Sequence, residues 1–95
     1  MEAAEQINVA NKKRITLPPN TVTATGISKA GIYKWTFVGE EASVLFFIWA
    51  PSNSNAYIIN NTWFKDLIEI TTVNGIMNLR YNSTNQSGVD IDRIG

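Results

Sequence analysis

Carboxylates are the side chains of this sequence best suited to catalysis, because the chain contains no histidine and no cysteine. That composition removes the commonest general base and the thiol nucleophile. Asp90 and Asp92 stand two residues apart, and Asp66 and Glu69 are close in sequence. A glycosidase needs two carboxyl groups that face each other across a cleft, about 5 to 9.5 Å apart. Residues i and i+2 of a strand instead lie side by side on one face, so we expect a solvated strand face and not an enzyme.

The same aspartates are a poor basis for a metal site. Calcium takes six or more oxygen ligands, and Asp90 and Asp92 supply only two carboxylates. A zinc site built on Cys or His is excluded by composition. We therefore expect no catalytic residue, no metal and no cofactor.

Ligand binding has better support, in the segment NNTWFKD at residues 60–66. An aromatic plane with neighbouring amides suits stacking on a sugar ring and hydrogen bonding to its hydroxyls. The alternative is that Trp63 or Phe64 closes an end of the core while the amides cap turns. The candidate ligand-binding residues of this segment are Asn60, Asn61, Trp63 and Lys65.

Two further loops rich in Asn and Ser are alternative binding loops. They are PSNSN at residues 51–55 and NSTNQS at residues 82–87. Asn53 and Asn55 of the first loop join the candidate ligand-binding residues. Both loops are equally well explained as solvated turns, in which Asn and Ser hydrogen-bond to nearby backbone.

The composition bounds the size and partners of the molecule. A chain of 95 residues forms one domain and buries only about 60 to 65% of its unfolded surface. Eight basic and eight acidic residues give zero formal charge, so we expect neither nucleic acid nor an anionic membrane as a partner. The longest apolar run has seven residues, against about 20 for a bilayer span. A modest core without disulfides or metal favours association with copies of itself.

Beyond about residue 15 the hydrophobic pattern has period two, which is typical of strands. Tyr33, Trp35 and Phe37 alternate with other residues in GIYKWTFV, so we expect them in the core. Asn74-Gly75 separates two strand-like runs, and Asn-Gly is the strongest short hairpin signal. Seven or eight short strands with no internal helix follow from the pattern. It predicts an all-β fold over residues 15–95, either a sandwich or a barrel, and of these we favour a small antiparallel β-sandwich of jelly-roll-like form.

Residues 1–14 do not share the β pattern. Ala3, Ile7 and Ala10 recur at helical spacing, with acidic residues near the start and basic residues at the end, as the helix dipole favours. Fewer than about 12 to 15 residues seldom hold a helix alone in water. We predict a short leader, either helical, as the last turns of a stalk, or extended and frayed.

The run SVLFFIWAP at residues 43–51 is apolar on both faces. In a strand, its even-numbered residues point to one side and its odd-numbered residues to the other. A two-layer fold buries one side and leaves the other as a large apolar patch. That second face meets a membrane, other segments of the chain or a neighbouring subunit, and we favour the subunit. The candidate interface residues are Val44, Leu45, Phe46, Phe47, Ile48 and Trp49, with Ile7 of the leader.

Short segments along the chain suggest a family. GISKAGIYKWTF at residues 26–37 takes a small-residue turn into an aromatic strand, Asn-, Ser- and Thr-rich strands follow, and the chain ends in GVDIDRIG at residues 88–95. With these features and the short leader, the sequence resembles the C-terminal knob domains of bacteriophage tail fibres and related receptor-binding proteins. The resemblance covers roughly residues 15–95. It implies a homotrimer of compact β-sandwiches at the tip of a stalk.

The same resemblance implies a function. A fibre knob is located in the virion, contacts other fibre proteins and binds a host surface glycan or protein receptor at outer loops or in clefts between subunits. The metal-binding His motifs and glycine-rich repeats of many fibre tips are absent from the sequence, so a knob and not a needle is implied. Two alternatives stay open: a structural virion decoration or fibre-assembly protein, and a monomeric carbohydrate-binding module.

Overall fold

The computed structural model describes residues 12–95, which form eight β-strands and one turn of 3₁₀-helix. In chain order these are β1 (Lys12–Leu17), β2 (Thr23–Ala24), β3 (Gly31–Phe37), β4 (Glu40–Trp49), β5 (Tyr57–Ile58), the 3₁₀ turn (Lys65–Leu67), β6 (Ile68–Val73), β7 (Ile76–Tyr81) and β8 (Ser87–Arg93). All strand pairings among these residues are antiparallel. The prediction of an all-β fold is confirmed. No helix in this part of the chain has the length and hydropathy needed to cross a bilayer.

The strands form two sheets. One has five strands in the order β1-β8-β3-β4-β5, and the other has three in the order β2-β7-β6. Asn74 and Gly75 close the β6–β7 hairpin with φ angles of 52° and 75°, the positive values that a type I′ turn requires. The predicted Asn-Gly hairpin is therefore confirmed. The β3–β4 turn lies at Val38 and Gly39, and Glu40 already belongs to β4.

Both sheets contribute to one hydrophobic core. Tyr33, Trp35 and Phe37 of β3 are at most 8% exposed, which confirms the predicted aromatic core face. Burial of this many large side chains is the main favourable term for the fold, at about 1.5 to 3 kcal/mol for each one removed from water. The fully buried side chains of the core are Leu17, Trp35, Leu45, Phe47, Trp49, Phe64, Met77, Leu79, Val89 and Ile91.

The two sides of β4 have different environments. Leu45, Phe47 and Trp49 are 0% exposed and contact the core of their own chain. The sequence left open which of the two sets packs inside; these three do, so among the candidate interface residues they have no surface free for contact with a neighbouring subunit. Val44, Phe46 and Ile48 point to the outside of the five-stranded sheet, where Ile48 is 41% exposed. The other expected interface residue, Ile7, lies outside the described residues.

The boundary between leader and domain also needs correction. Strand β1 begins at Lys12, and Lys12 and Arg14 pair in register with Asp92 and Asp90 of β8. Residues 12–14 therefore belong to the sheet, since a second strand holds their backbone. The remainder of the predicted leader lies outside the described residues.

Candidate functional site

A cleft opens at the end of the core where β3 ends and β4 begins. Its volume is about 410 Å³. Its walls are the β3–β4 turn, the loop before the 3₁₀ turn, the end of β7 and the start of β8. We call it the Trp63 cleft, and its principal side chains are Phe37, Glu40, Trp63, Tyr81, Gln86 and Ser87.

The indole of Trp63 is both exposed and fixed in position. The side chain is 58% exposed, and its Nε1–H donates a hydrogen bond of 2.9 Å to Ser43 Oγ. The ring stacks on Phe37, with centroids 6.2 Å apart and planes 23° from parallel. It meets the Phe64 ring edge-on at 5.3 Å. Three contacts therefore hold an aromatic surface that faces solvent, so little side-chain entropy is lost when a ligand stacks on it.

The adjacent residues Trp63 and Phe64 take different roles. Phe64 is 0% exposed and closes the end of the core, with its ring 4.8 Å from Phe37 and 6.1 Å from Trp35. The two sequence interpretations thus apply to different residues. Phe64 closes the core, and Trp63 is left on the surface beside it.

Polar groups surround this aromatic platform. Glu40 and Gln86 are exposed, while Ser87 and Tyr81 are half-buried. Together they offer a carboxylate, an amide and two hydroxyls, which can donate and accept hydrogen bonds. The Tyr81 ring lies 5.0 Å from Phe37 and extends the aromatic wall. A ring-shaped polyhydroxylated ligand is the chemical match for such a cleft.

Of the six principal side chains of the cleft, only Trp63 was a candidate ligand-binding residue; Phe37 was expected in the core, and Glu40, Tyr81, Gln86 and Ser87 were not singled out. Gln86 and Ser87 belong to the loop NSTNQS, which the sequence marked as an alternative binding loop. Tyr81 ends the apolar alternation of β7, and that position, where the core meets solvent, could have indicated it. Glu40 carries no local signal, because its place in the cleft depends on how β3 and β4 pair.

Asn60 has a structural role at the sheet edge. The backbone N–H of Phe46 donates to Asn60 Oδ1 at 2.7 Å, and Asn60 Nδ2 donates to the Val44 carbonyl at 2.9 Å. Strand β5 is only two residues long, so the amide of Asn60 satisfies backbone groups of β4 that a longer strand would pair. These bonds occupy the amide, and Asn60 does not line the Trp63 cleft.

The remaining candidate ligand-binding residues are not brought to the cleft. Asn61 and Lys65 are exposed near it but do not line it. Asn53 and Asn55 lie beyond the other end of β4, where the Asn53 N–H donates to the Ala50 carbonyl at 3.0 Å and Asn55 forms a bridge to Thr71. Trp49, at that end of β4, is about 20 Å from Ser43, the β4 residue that Trp63 contacts, at about 3.3 Å per residue.

Of the carboxylates considered for catalysis, Asp90 and Asp92 lie on the outer face of the five-stranded sheet, whereas Asp66 is in the 3₁₀ turn and Glu69 in β6 of the other sheet. Arg14 donates to both oxygens of Asp90, at 2.9 and 3.1 Å, and Lys12 Nζ is 4.0 Å away. The hydrogen bond from Arg14 lowers the pKa of Asp90, against the opposing effect of burial. Asp90 is thus held ionised in an ion pair. Within residues 12–95, no three His, Cys, Asp or Glu side chains come together as a metal site requires.

Comparisons with known protein families, with curated proteins and with solved structures find no match to this chain. The geometry of the Trp63 cleft is therefore the basis for inferring a function. A fixed, exposed indole beside neutral and acidic hydrogen-bonding groups is typical of non-covalent ligand sites.

Proposed function

We propose that this chain is a β-sandwich knob of a bacteriophage fibre that attaches the virion to a glycan on the host cell surface. The main support for glycan binding is the Trp63 indole, which is 58% exposed and held in position by its hydrogen bond to Ser43 and its stacking on Phe37. The place in a phage fibre, and so in the virion beside other fibre proteins, has its support in the sequence resemblance over residues 15–95.

A sugar suits the Trp63 cleft for physical reasons. The apolar face of a pyranose stacks on an indole, and its hydroxyls need partners that both donate and accept. Tyr81, Gln86 and Ser87 provide such groups at the rim of the cleft. The cleft volume of about 410 Å³ is at the lower end of the range for small-ligand pockets. It accommodates one or two sugar rings, with the rest of a longer chain in solvent.

We propose that the knob assembles as a homotrimer. Support comes from the outer apolar face, which we define as Ile32, Val44, Phe46, Ile48, Tyr57 and Ile59. Ile32 and Tyr57 flank Ile48 on the neighbouring strands, in register, and are 37% and 69% exposed. Contiguous apolar surface of this kind marks interaction sites on soluble proteins. Three copies of a weak glycan site gain apparent affinity by effective concentration, without new contacts.

Replacement of Trp63 tests the glycan proposal. The purified chain is screened against an array of bacterial surface glycans and against fluorescently labelled host cells. For the best glycan, we expect Trp63→Ala to weaken binding at least about tenfold, since stacking on an aromatic side chain contributes on the order of 1 to 3 kcal/mol. Asn55→Ala, at the opposite end of β4, is the control and should bind like the parent chain.

The same screen can contradict the proposal. Unchanged binding by Trp63→Ala would exclude the cleft as the glycan site. A chain that adheres to no cell and no glycan, yet docks onto isolated capsids or tails, would instead support the structural virion protein. Glycan binding by a chain that stays monomeric would support the carbohydrate-binding module.

A further inference from the structure

A second recess lies at the opposite end of the core, where β3 begins and β8 ends. Its volume is about 190 Å³, and its lining is Lys13, the loop from Gly26 to Lys29, Tyr33 and Arg93. Tyr33 and Phe37, which belong to the recess and to the Trp63 cleft respectively, are about 13 Å apart along β3. The two sites are therefore separate, and a ligand of the recess is independent of the proposed glycan function.

The recess is locally basic in a chain of zero formal charge. Three cationic side chains line it, from Lys13, Lys29 and Arg93, and within residues 12–95 no acidic side chain does. The aspartates of β8, Asp90 and Asp92, alternate with the inward-facing residues and line a different pocket on the outer face of the sheet. Cationic side chains grouped in this way produce a positive potential that favours an anion.

Two glycines make room for two of the cations. At Gly26, whose φ is 79°, a Cβ atom would lie 2.7 Å from Lys13 Nζ. At Gly31 a Cβ would lie 2.5 Å from Arg93 Nε. Any larger residue would thus displace the ammonium or the guanidinium. Arg93 Nε also donates to the Ala30 carbonyl at 3.1 Å, which fixes the orientation of the guanidinium.

Several hydrogen-bond donors of the recess lack a protein acceptor. Among the described residues, the ammonium groups of Lys13 and Lys29 and the Ser28 hydroxyl have no hydrogen-bond partner. The Tyr33 hydroxyl donates to the Lys29 carbonyl and leaves its oxygen facing the site. Burial raises the pKa of Tyr33, with the nearby Arg93 charge opposing, so the phenol stays neutral and adds no negative charge at neutral pH.

From this arrangement we propose that the recess binds a phosphate group, either as inorganic phosphate or as the phosphate monoester of a larger ligand. Phosphate brings up to two negative charges and several acceptor oxygens to three cations and a hydroxyl. The volume of about 190 Å³ accommodates one such group. Its open side would leave the rest of a phosphorylated ligand in solvent.

A phosphate titration followed by NMR tests the proposal. The uniformly ¹⁵N-labelled chain is titrated with inorganic phosphate at constant ionic strength, with chloride as the replaced anion. We expect saturable shifts at the amides of residues 26–31 and 93, and none around Trp63. Lys13→Gln and Lys29→Gln should each weaken binding about tenfold, since a charge-assisted hydrogen bond contributes about 1.5 kcal/mol or more. Lys13→Arg, which keeps the charge, should retain binding and shows that the strand tolerates substitution there.

Lys12→Gln is the matched control. It removes the same charge from the preceding residue of β1, whose side chain lies on the outer face near Asp90. Phosphate affinity should stay within about twofold of the parent chain. Equal weakening by Lys12→Gln and Lys13→Gln would mean that only net charge matters, and that result would overturn the site. Shifts that never saturate would overturn it as well.

Two further titrations separate the sources of the phosphate. Glucose 6-phosphate that binds as tightly as inorganic phosphate would mean that the recess recognises the phosphate group alone. If glucose 6-phosphate binds more tightly than inorganic phosphate, the natural ligand of the recess is a larger phosphorylated molecule. Glucose itself should cause no shift at residues 26–31, and the same shifts with glucose would contradict a phosphate site.

Discussion

The two sides of strand β4 carry similar residues in different surroundings. Both Phe46 and Phe47 are phenylalanines one position apart, yet Phe47 is 0% exposed inside the core while Phe46 lies on the outer face. Inside, Phe47 stacks on Tyr33 at 5.6 Å. Outside, Phe46 lies between Lys34 of β3 and Ile59, the residue that follows β5. Hydrophobicity alone therefore does not distinguish the residues that form the fold from those available to another molecule.

Truncation of the inner side should have the largest effect. Phe47→Ala removes a fully buried ring and leaves a cavity, so we expect a loss of about 3 to 5 kcal/mol in the free energy of unfolding. A small domain typically has only about 5 to 15 kcal/mol in total. Urea denaturation followed by tryptophan fluorescence measures the loss. Phe46→Ala is the control with the same change of residue, and it should cost at least about 2 kcal/mol less. Equal losses would contradict the assignment of the two sides.

A charge on the outer side should affect assembly more than folding. Ile48 is 41% exposed, so in the separate chain Ile48→Asp places a carboxylate that water can reach. In the proposed trimer the same carboxylate would be buried without a partner, at a cost of several kcal/mol. We expect light scattering at micromolar concentration to show trimers for the parent chain and monomers for Ile48→Asp.

Val73→Asp is the control for that comparison. Val73 is 52% exposed on the three-stranded sheet, outside the outer apolar face, so its substitution should leave the trimer intact. A parent chain that is monomeric at micromolar concentration would remove the trimer from the proposal. It would leave the assignment of inner and outer sides untouched.

The sequence predicted the strands but not the side of β4 that is buried, and the reason lies in the pairing of β3 with β4. Phe37 pairs with Glu40, but Thr36 pairs with Val44, because the register shifts between Thr36 and Phe37. If the pairing continued without a shift from Phe37 and Glu40, Val44 would lie opposite Tyr33. Tyr33 is buried, so the even-numbered residues of β4 would then face the core. An odd register shift exchanges the two sides of a strand. Periodicity within β4 contains no information about that irregularity.

The residues of the Trp63 cleft also divide into those that a local sequence pattern indicates and those that only the strand order brings together. Trp63 could be named from its own segment, because an aromatic residue among amides is a local pattern. Tyr81 and Gln86 join it through strand order, since β7 and β8 are distant in sequence from residue 63. Asn60 belongs to the same aromatic and amide-rich segment as Trp63, but its side-chain amide is hydrogen-bonded to two backbone groups of β4. Local composition thus identified the anchor of the cleft and could not separate it from neighbours with structural roles.

The smallest expected effect comes from the charged part of the outer face. Asp90 is paired with Arg14, whose hydrogen bond lowers the Asp90 pKa below its ordinary value of 3.8. A lowered folded-state pKa contributes stability that is present above the unfolded value of about 3.9 and is lost as pH falls toward the folded value. The Arg14 side chain is 65% exposed, so solvent screens the pair and its contribution is about 0.5 kcal/mol.

Arg14→Gln should therefore be slightly less stable than the parent chain at pH 6, and the difference should shrink as the pH falls through the lowered Asp90 pKa of the parent chain. In the variant, the Asp90 carboxyl should titrate closer to its ordinary pKa, as measured by NMR of the side-chain carbon. Lys65→Gln removes one positive charge that does not contribute to the Asp90 shift, and it should leave the Asp90 titration unchanged. An Asp90 pKa that stays low without Arg14 would assign the shift to Lys12, the other cation near this carboxylate, and the hydrogen bond from Arg14 would then not be its main cause.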